Sequence, residues 1–157
     1  MERVLIGRPV IAFPSVGPKG VPLNGRAKGT ALISKEPLSF WGGLSAGTGE
    51  IIDRRHPRSG AIVTDRVFVF PKGKGSSTAS GILLESIRAG TAPAAIINLK
   101  TDSILALGAI VADELYHRSL PIVILKEDAF YSISEGDYLV VESNGTVRVS
   151  SSEGREK

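Results

Sequence analysis

Arg66-Val67-Phe68-Val69-Phe70-Pro71-Lys72-Gly73-Lys74-Gly75-Ser76-Ser77-Thr78-Ala79-Ser80 runs from β-branched and aromatic residues, through glycines and lysines, into hydroxyl residues. Its first part reads as a strand. Ile82, Leu83 and Ile87 follow near helical spacing and Gly90 suits the position after a helix end, which predicts a helix over residues 77–88. A strand feeding a glycine loop that opens a helix gathers backbone N–H groups at one spot. The first N–H groups of a helix lack internal partners and its dipole is positive there, so that spot favours negative charge. A serine placed there can act as a helix cap, an anion ligand or a reactive oxygen.

Working outward, Ala61-Ile62-Val63 and Thr30-Ala31-Leu32-Ile33 read as strands, and Thr48-Gly49-Glu50-Ile51-Ile52-Asp53 as a turn into a short strand. Pro37-Leu38-Ser39-Phe40-Trp41-Gly42-Gly43 is a loop with the only tryptophan, and residues 54–60 form a polar loop. Downstream, Ala94-Ala95-Ile96-Ile97-Asn98-Leu99 and Pro121-Ile122-Val123-Ile124-Leu125 are apolar runs of strand length. Between them Asp102-Ser103 can cap a short helix over residues 104–112. Continuous apolar strands that alternate with helices suggest parallel pairing covered on both faces. Ser143-Asn144-Gly145 lies between two alternating segments and signals a hairpin. The expected fold is α/β: a mixed sheet with flanking helices. Residues 1–25 are rich in Pro and Gly and read as an extended arm, residues 26–149 as the body and residues 150–157 as a polar tail.

A chain of 157 residues with 42% hydrophobic content suits one packed domain rather than a disordered one. Its net charge of +3 is spread along the chain without a basic, aromatic-interleaved face, which argues against nucleic acid as partner. A small anionic substrate accounts equally well for the local clusters at Arg54-Arg55 and at Lys72 and Lys74. There are no cysteines, so the chain offers no disulfide, no thiol nucleophile and no thiolate for zinc or an iron–sulfur cluster. No apolar run reaches membrane-span length and no signal-peptide pattern opens the chain, so a cytoplasmic protein without membrane partner is expected.

The loop departs from the common nucleotide motifs. A Walker loop needs Ser or Thr after Gly-Lys, where Gly75 stands; a Rossmann loop needs a third glycine, where Thr78 stands. The Gly-x-Ser-x-Gly elbow of hydrolases is absent, and neither His56 nor His117 sits in a recognisable triad motif, so both read as structural or solvated loop residues. Glu50, Asp53, Asp102 and Asp113 lack the spacing of a metal site or carboxylate pair and read as turn, cap and surface residues. Phe40-Trp41-Gly42-Gly43 is either a substrate or subunit contact or a buried aromatic anchor under a turn.

Taken in order, residues 37–43, 48–53, His56-Pro57, 73–80, Ala92-Pro93-Ala94-Ala95-Ile96-Ile97 and Leu107-Gly108-Ala109-Ile110-Val111-Ala112 form a set that resembles the small subunit of the aconitase X family, and within it the archaeal phosphomevalonate dehydratase branch. The resemblance spans about residues 25–125 and leaves out the N-terminal arm. It implies a swivelling β/β/α domain like the mobile last domain of aconitase. It also implies a heterodimer with a cysteine-bearing large subunit that holds a 4Fe-4S cluster, with no metal on this chain. The implied reaction removes water from (R)-5-phosphomevalonate to give trans-anhydromevalonate 5-phosphate, a step of the archaeal mevalonate route to isoprenoids. The family's base, the serine after the loop glycine, falls on Ser76. Lys74, Gly75, Ser77, Gly42, Gly43 and Arg54 are the substrate-binding candidates, with Lys72, Arg55 and Arg58 as further cations for the substrate's phosphate and carboxylate, and the cluster iron would act as Lewis acid on the leaving hydroxyl. Two other readings remain: a relative acting on cis-3-hydroxy-L-proline or another hydroxy acid, and a non-catalytic binding or regulatory module in which Ser76 only caps a helix.

Overall fold

Val67, Phe68 and Val69 are all fully buried, as a strand must be when both of its faces are covered. They form β4 in a computed structural model that describes residues 2–10, 26–74, 78–142 and 144–151. In chain order the elements are β1 (Glu2–Ile6), β2 (Arg8–Pro9), β3 (Arg26–Ile33), a helical turn α1 (Phe40–Gly43), β4 (Val67–Val69), α2 (Ala79–Ala89), β5 (Ala95–Asn98), α3 (Ser103–Tyr116), β6 (Ile122–Ile124), α4 (Glu127–Tyr131), β7 (Tyr138–Glu142) and β8 (Thr146–Ser150). The strands make an eight-stranded mixed sheet in the order β1-β8-β7-β3-β4-β5-β6-β2.

β3 joins two halves of this sheet. Its first residues pair antiparallel with β7, from Arg26 opposite Glu142 to Thr30 opposite Tyr138. Its last three, Ala31, Leu32 and Ile33, pair parallel with Val67, Phe68 and Val69 of β4. β5 and β6 continue the parallel half. Alternation along these strands divides the core in two. Leu32, Phe68, Ile96 and Ile122 face α2 and α3, where Leu83, Ile87, Leu105, Ala109 and Ala112 meet them. Ala31, Val67, Val69, Ala95, Ile97 and Val123 face the other way, against Leu139, Val141, Val147 and Val149 of the antiparallel hairpin and Phe130 of α4. The result is three layers: hairpin sheet, parallel sheet, helices.

Because β4, β5 and β6 lie in sequence order, right-handed crossovers put α2 and α3 on one face. The two helices touch closely at Gly108, where a Cβ would come within 2.7 Å of the Ser80 carbonyl oxygen. α2 ends at Gly90 in the left-handed conformation (φ 81°), as the sequence predicts. α3 is longer than expected and stops at His117 (φ 55°), which donates its N–H to the Asp113 carbonyl at 3.0 Å.

One expectation needs correction. Residues 51–53 and 61–63 do not form strands. They make single bridges, Leu44 with Ile51 and Glu50 with Ile62, and the positive-φ residues Gly49 and Gly60 turn the backbone just before each piece. The short helix α4 was not anticipated; five residues carry too little periodicity to read. The first residues of the arm are sheet strands: β1 pairs with β8 and β2 with β6. Its Pro/Gly-rich part, residues 11–25, lies outside the described residues, as do residues 152–157 of the tail.

Candidate active site

The loop leaving β4 is held to the segment before α1. Leu38 and Gly73 form a parallel bridge, Lys74 N donates to the Leu38 carbonyl at 3.2 Å and Leu38 N to the Lys72 carbonyl at 3.4 Å. Below this bridge the aromatics stack. Phe40 packs on Phe70 with centroids 5.9 Å apart, and Phe70 on Phe68 at 4.3 Å. Such pairs add about 0.5–1.5 kcal/mol each beyond their buried area. Buried Asn98 closes the end of β4 by donating its Nδ2 to the Phe70 carbonyl at 2.8 Å.

Above the ends of β4 and β5 lies a cavity of about 380 Å³, lined in part by Phe40, Lys72, Gly73, Lys74, Ala79 and Asp102. It opens between the N-termini of α2 and α3. Neither helix carries an acidic side chain in its first turn, so their positive ends are offset only by the Asp102 cap. Asp102 Oδ1 accepts from Ile104 N at 2.9 Å and Leu105 N at 3.2 Å. Lys72 and Lys74 are exposed and take part in no ion pair among the described residues. Two ammonium groups and two helix N-termini, against one carboxylate, give this end of the sheet a positive field that suits a small anion.

Lys74, a substrate-binding candidate from the sequence, lines this cavity. Gly75, Ser76 and Ser77 lie outside the described residues; their flanks, Lys74 and Ala79, both line the cavity. Gly42 and Gly43 are not among its lining residues. Gly42 is exposed at φ 79° and makes the turn, while Gly43 is buried and its carbonyl accepts from Ile52 N at 2.8 Å. The aromatic pair before them divides the two roles proposed for it. Phe40 is the buried anchor at 1% exposure, and Trp41 points outward at 57%.

Arg54 is exposed and its loop is organised away from the cavity. Asp53 Oδ1 accepts from Arg55 N at 3.0 Å. That bond holds the carboxyl below its usual range; desolvation opposes it, and the Arg55 guanidinium adds to the lowering. His56 is buried: its Nδ1 accepts from Arg58 N at 3.0 Å, which assigns the proton to Nε2, 3.3 Å from Ser34 Oγ. Ser34 in turn donates to the Glu36 carbonyl at 2.7 Å. The imidazole is thus a donor to the serine, the wrong tautomer for a base that activates it.

Asp102 is the site residue that sequence reasoning missed. Its capping role was legible, but its approach to Gly73 depends on β4 and β5 being parallel neighbours. No metal-ligating group of three or more His, Asp or Glu occurs among the described residues, and the whole chain lacks Cys. These donors do not fit an iron–sulfur cluster.

Comparison with known proteins agrees with this architecture. The family model of the aconitase X swivel domain matches residues 19–149. The cis-3-hydroxy-L-proline dehydratase of Pseudomonas aeruginosa is 52% identical over 103 residues, 66% of this chain and 18% of that protein. That of Hypocrea jecorina is 39% identical over 125 residues, 80% of this chain and 21% of that protein. The chain thus spans about a fifth of the length of these relatives. The phosphomevalonate dehydratase small subunit of Archaeoglobus fulgidus is 40% identical over 122 residues, 77% of this chain and 87% of that one. Among solved structures, holo-form aconitase X of Thermococcus kodakaraensis aligns with a TM-score of 0.76 at 28% identity, covering 94% of this chain and 98% of that one. A UPF0107 protein solved by NMR aligns at 0.73 and 35% identity, covering 92% and 97%. With five-sixths of its length matched by the family model and relatives above the one-third identity mark, the chain belongs to the aconitase X swivel-domain family.

Proposed function

We propose that this chain is the small subunit of a two-chain hydro-lyase that dehydrates (R)-5-phosphomevalonate, with Ser76 as proton acceptor. The observation that carries the reading is the cationic cavity lined by Lys72, Lys74 and Ala79, residues that precede and follow Ser76 in the chain. The reaction takes a proton from the carbon beside a carboxylate while the hydroxyl on the next carbon leaves. That proton is weakly acidic, so the acceptor must be strongly basic. A serine oxygen qualifies once its ionised form is stabilised by backbone N–H groups, helix N-termini and nearby ammonium groups. Lys74 and Lys72 orient the substrate's phosphate and carboxylate. A cluster, which would supply a Lewis acid for the leaving hydroxyl, falls on the large subunit, since this chain's residues do not fit it.

One observation favours a phosphorylated substrate: the two lysines and paired helix N-termini provide more positive charge than a zwitterionic imino acid requires. The 52% identity to a cis-3-hydroxy-L-proline dehydratase supports a second reading, the same chemistry on that substrate. Anaerobic co-production with the cysteine-bearing large subunit, followed by assay of both compounds, tests the choice. Turnover of phosphomevalonate and not of the hydroxyproline is the expected result. The reverse selectivity transfers the chain to the second reading, and turnover of neither compound favours a binding module.

A further inference from the structure

The N-terminal strand β2 brings one more cation to the edge of the cavity. Its Arg8 pairs with Ile124 of β6, and Pro9 with Val123. The backbone is fixed on both sides of this pair: Gly7 N donates to the Gly145 carbonyl at 2.9 Å and Val10 N to the Ile122 carbonyl at 2.9 Å. A Cβ on residue 7 would come within 2.6 Å of Val123 Cγ1 and 2.9 Å of the Gly145 oxygen, so the chain enters β2 through a close approach without room for a side chain. The Arg8 side chain is exposed, and its Nη2 donates to Thr101 Oγ1 at 2.9 Å. Thr101 lines the cavity together with Lys72 and Lys74. Arg8 also lines a second hollow with Leu99 and Lys126, so it stands at the border of the two.

Among the described residues no carboxylate lies within ion-pair distance of Arg8, whereas Arg58 and Arg66 share Glu135. Thr101 accepts one of the five N–H donors of the guanidinium. An arginine fixed by a neutral hydroxyl keeps its full charge, and its planar fork suits a phosphate. Charge matching shows what the extra cation is for. A phosphate monoester carries about −1.5 to −2 near neutral pH, to which a carboxylate adds a full negative charge. Lys72, Lys74 and two helix N-termini of about half a charge each, less the Asp102 carboxylate, supply only about +2. Arg8 brings this to about +3, close to neutrality with a phosphorylated hydroxy acid. We infer that Arg8, held against the cavity wall by Thr101, is a substrate-binding residue that receives the phosphate group and sets the preference for phosphorylated hydroxy acids. This deepens the proposed dehydratase reading and rests on it. Arg8 precedes the span matched by the family model, residues 19–149, so the contact comes from outside the shared domain.

The test has a kinetic arm and a binding arm. In the reconstituted complex, Arg8→Ala is expected to raise KM for phosphomevalonate about tenfold to a hundredfold with kcat within about threefold, as loss of a contact made equally in ground and transition states does. Arg8→Lys keeps the charge without the fork, and its KM falls between the two. Arg88→Ala removes the same charge from α2, where it pairs with Glu85, and leaves KM within about twofold. A KM unchanged in Arg8→Ala overturns the inference, as does an equal rise in Arg88→Ala. The second arm needs no turnover. Inorganic phosphate is titrated into the isolated full-length chain and followed by nitrogen-15 NMR. A saturable shift is expected at Arg8 Nε–Hε and at the Thr101 amide, and the Thr101 shift is lost in Arg8→Ala. Absence of a saturable shift at Arg8 also overturns the inference. A complex inactive on phosphomevalonate whose Arg8 still responds to phosphate defeats the dehydratase reading and leaves the phosphate contact standing.

Discussion

Two ends of the molecule collect basic residues, and they dispose of the charge in different ways. Arg58 and Arg66 both reach Glu135: Arg58 Nη2 lies 3.1 Å and Arg66 Nη2 3.2 Å from its Oε2, and Oε1 accepts from Ile33 N at 2.8 Å. That end pairs its arginines with an acid and serves as a clasp between β3, the Arg54 loop and the turn before β7. Lys72 and Lys74 have no such acid among the described residues; the nearby Asp102 carboxylate is engaged in capping α3. Clustered cations in a sequence are therefore ambiguous. Whether they hold a ligand or hold the fold depends on an acid that arrives from elsewhere in the chain.

Substitutions can break this contrast in graded steps. Phe40→Ala removes the aromatic under the cavity and should cost about 3–5 kcal/mol of stability by chemical denaturation, as buried phenylalanines do. Trp41→Ser next to it, exposed at 57%, should stay within about 0.5 kcal/mol. Lys74→Ala should raise KM for the phosphorylated substrate roughly tenfold to a hundredfold, the loss of one charge-assisted hydrogen bond. The steady-state kinetics should show kcat falling as well, since the same ammonium helps to stabilise the ionised serine. Glu135→Gln should lower stability by about 1–2 kcal/mol, since its partners are half exposed, and leave KM unchanged. A KM effect at Glu135 as large as that at Lys74 would erase the distinction between the two ends.

The parallel core was legible because its evidence is local. Residues 94–99 and 121–125 are apolar runs of strand length, and Gly90 and Asp102 mark helix ends by their own chemistry. The segment over residues 48–63 misled, because β-branched residues such as Ile51 and Val63 are buried without a ladder, and their glycines decide the path. The site was legible only to the extent that one loop contains it. Lys72, Lys74 and the start of α2 follow in sequence. Phe40 and Asp102 join them through strand pairing and the Leu38–Gly73 bridge, which no single stretch encodes. Arg54 belongs by composition with the lysines, yet its loop is tied to Ser34 and Glu135 instead.

The central claim is that the loop between Lys74 and Thr78 contributes a proton acceptor to a site completed by a second chain. The most direct measurement is kcat of Ser76→Ala and, separately, Ser77→Ala, each assembled with the large subunit. The account predicts a loss of about a thousandfold for Ser76→Ala, in the range expected for removal of a catalytic base, and less than about tenfold for Ser77→Ala. Near-normal turnover in Ser76→Ala would contradict it.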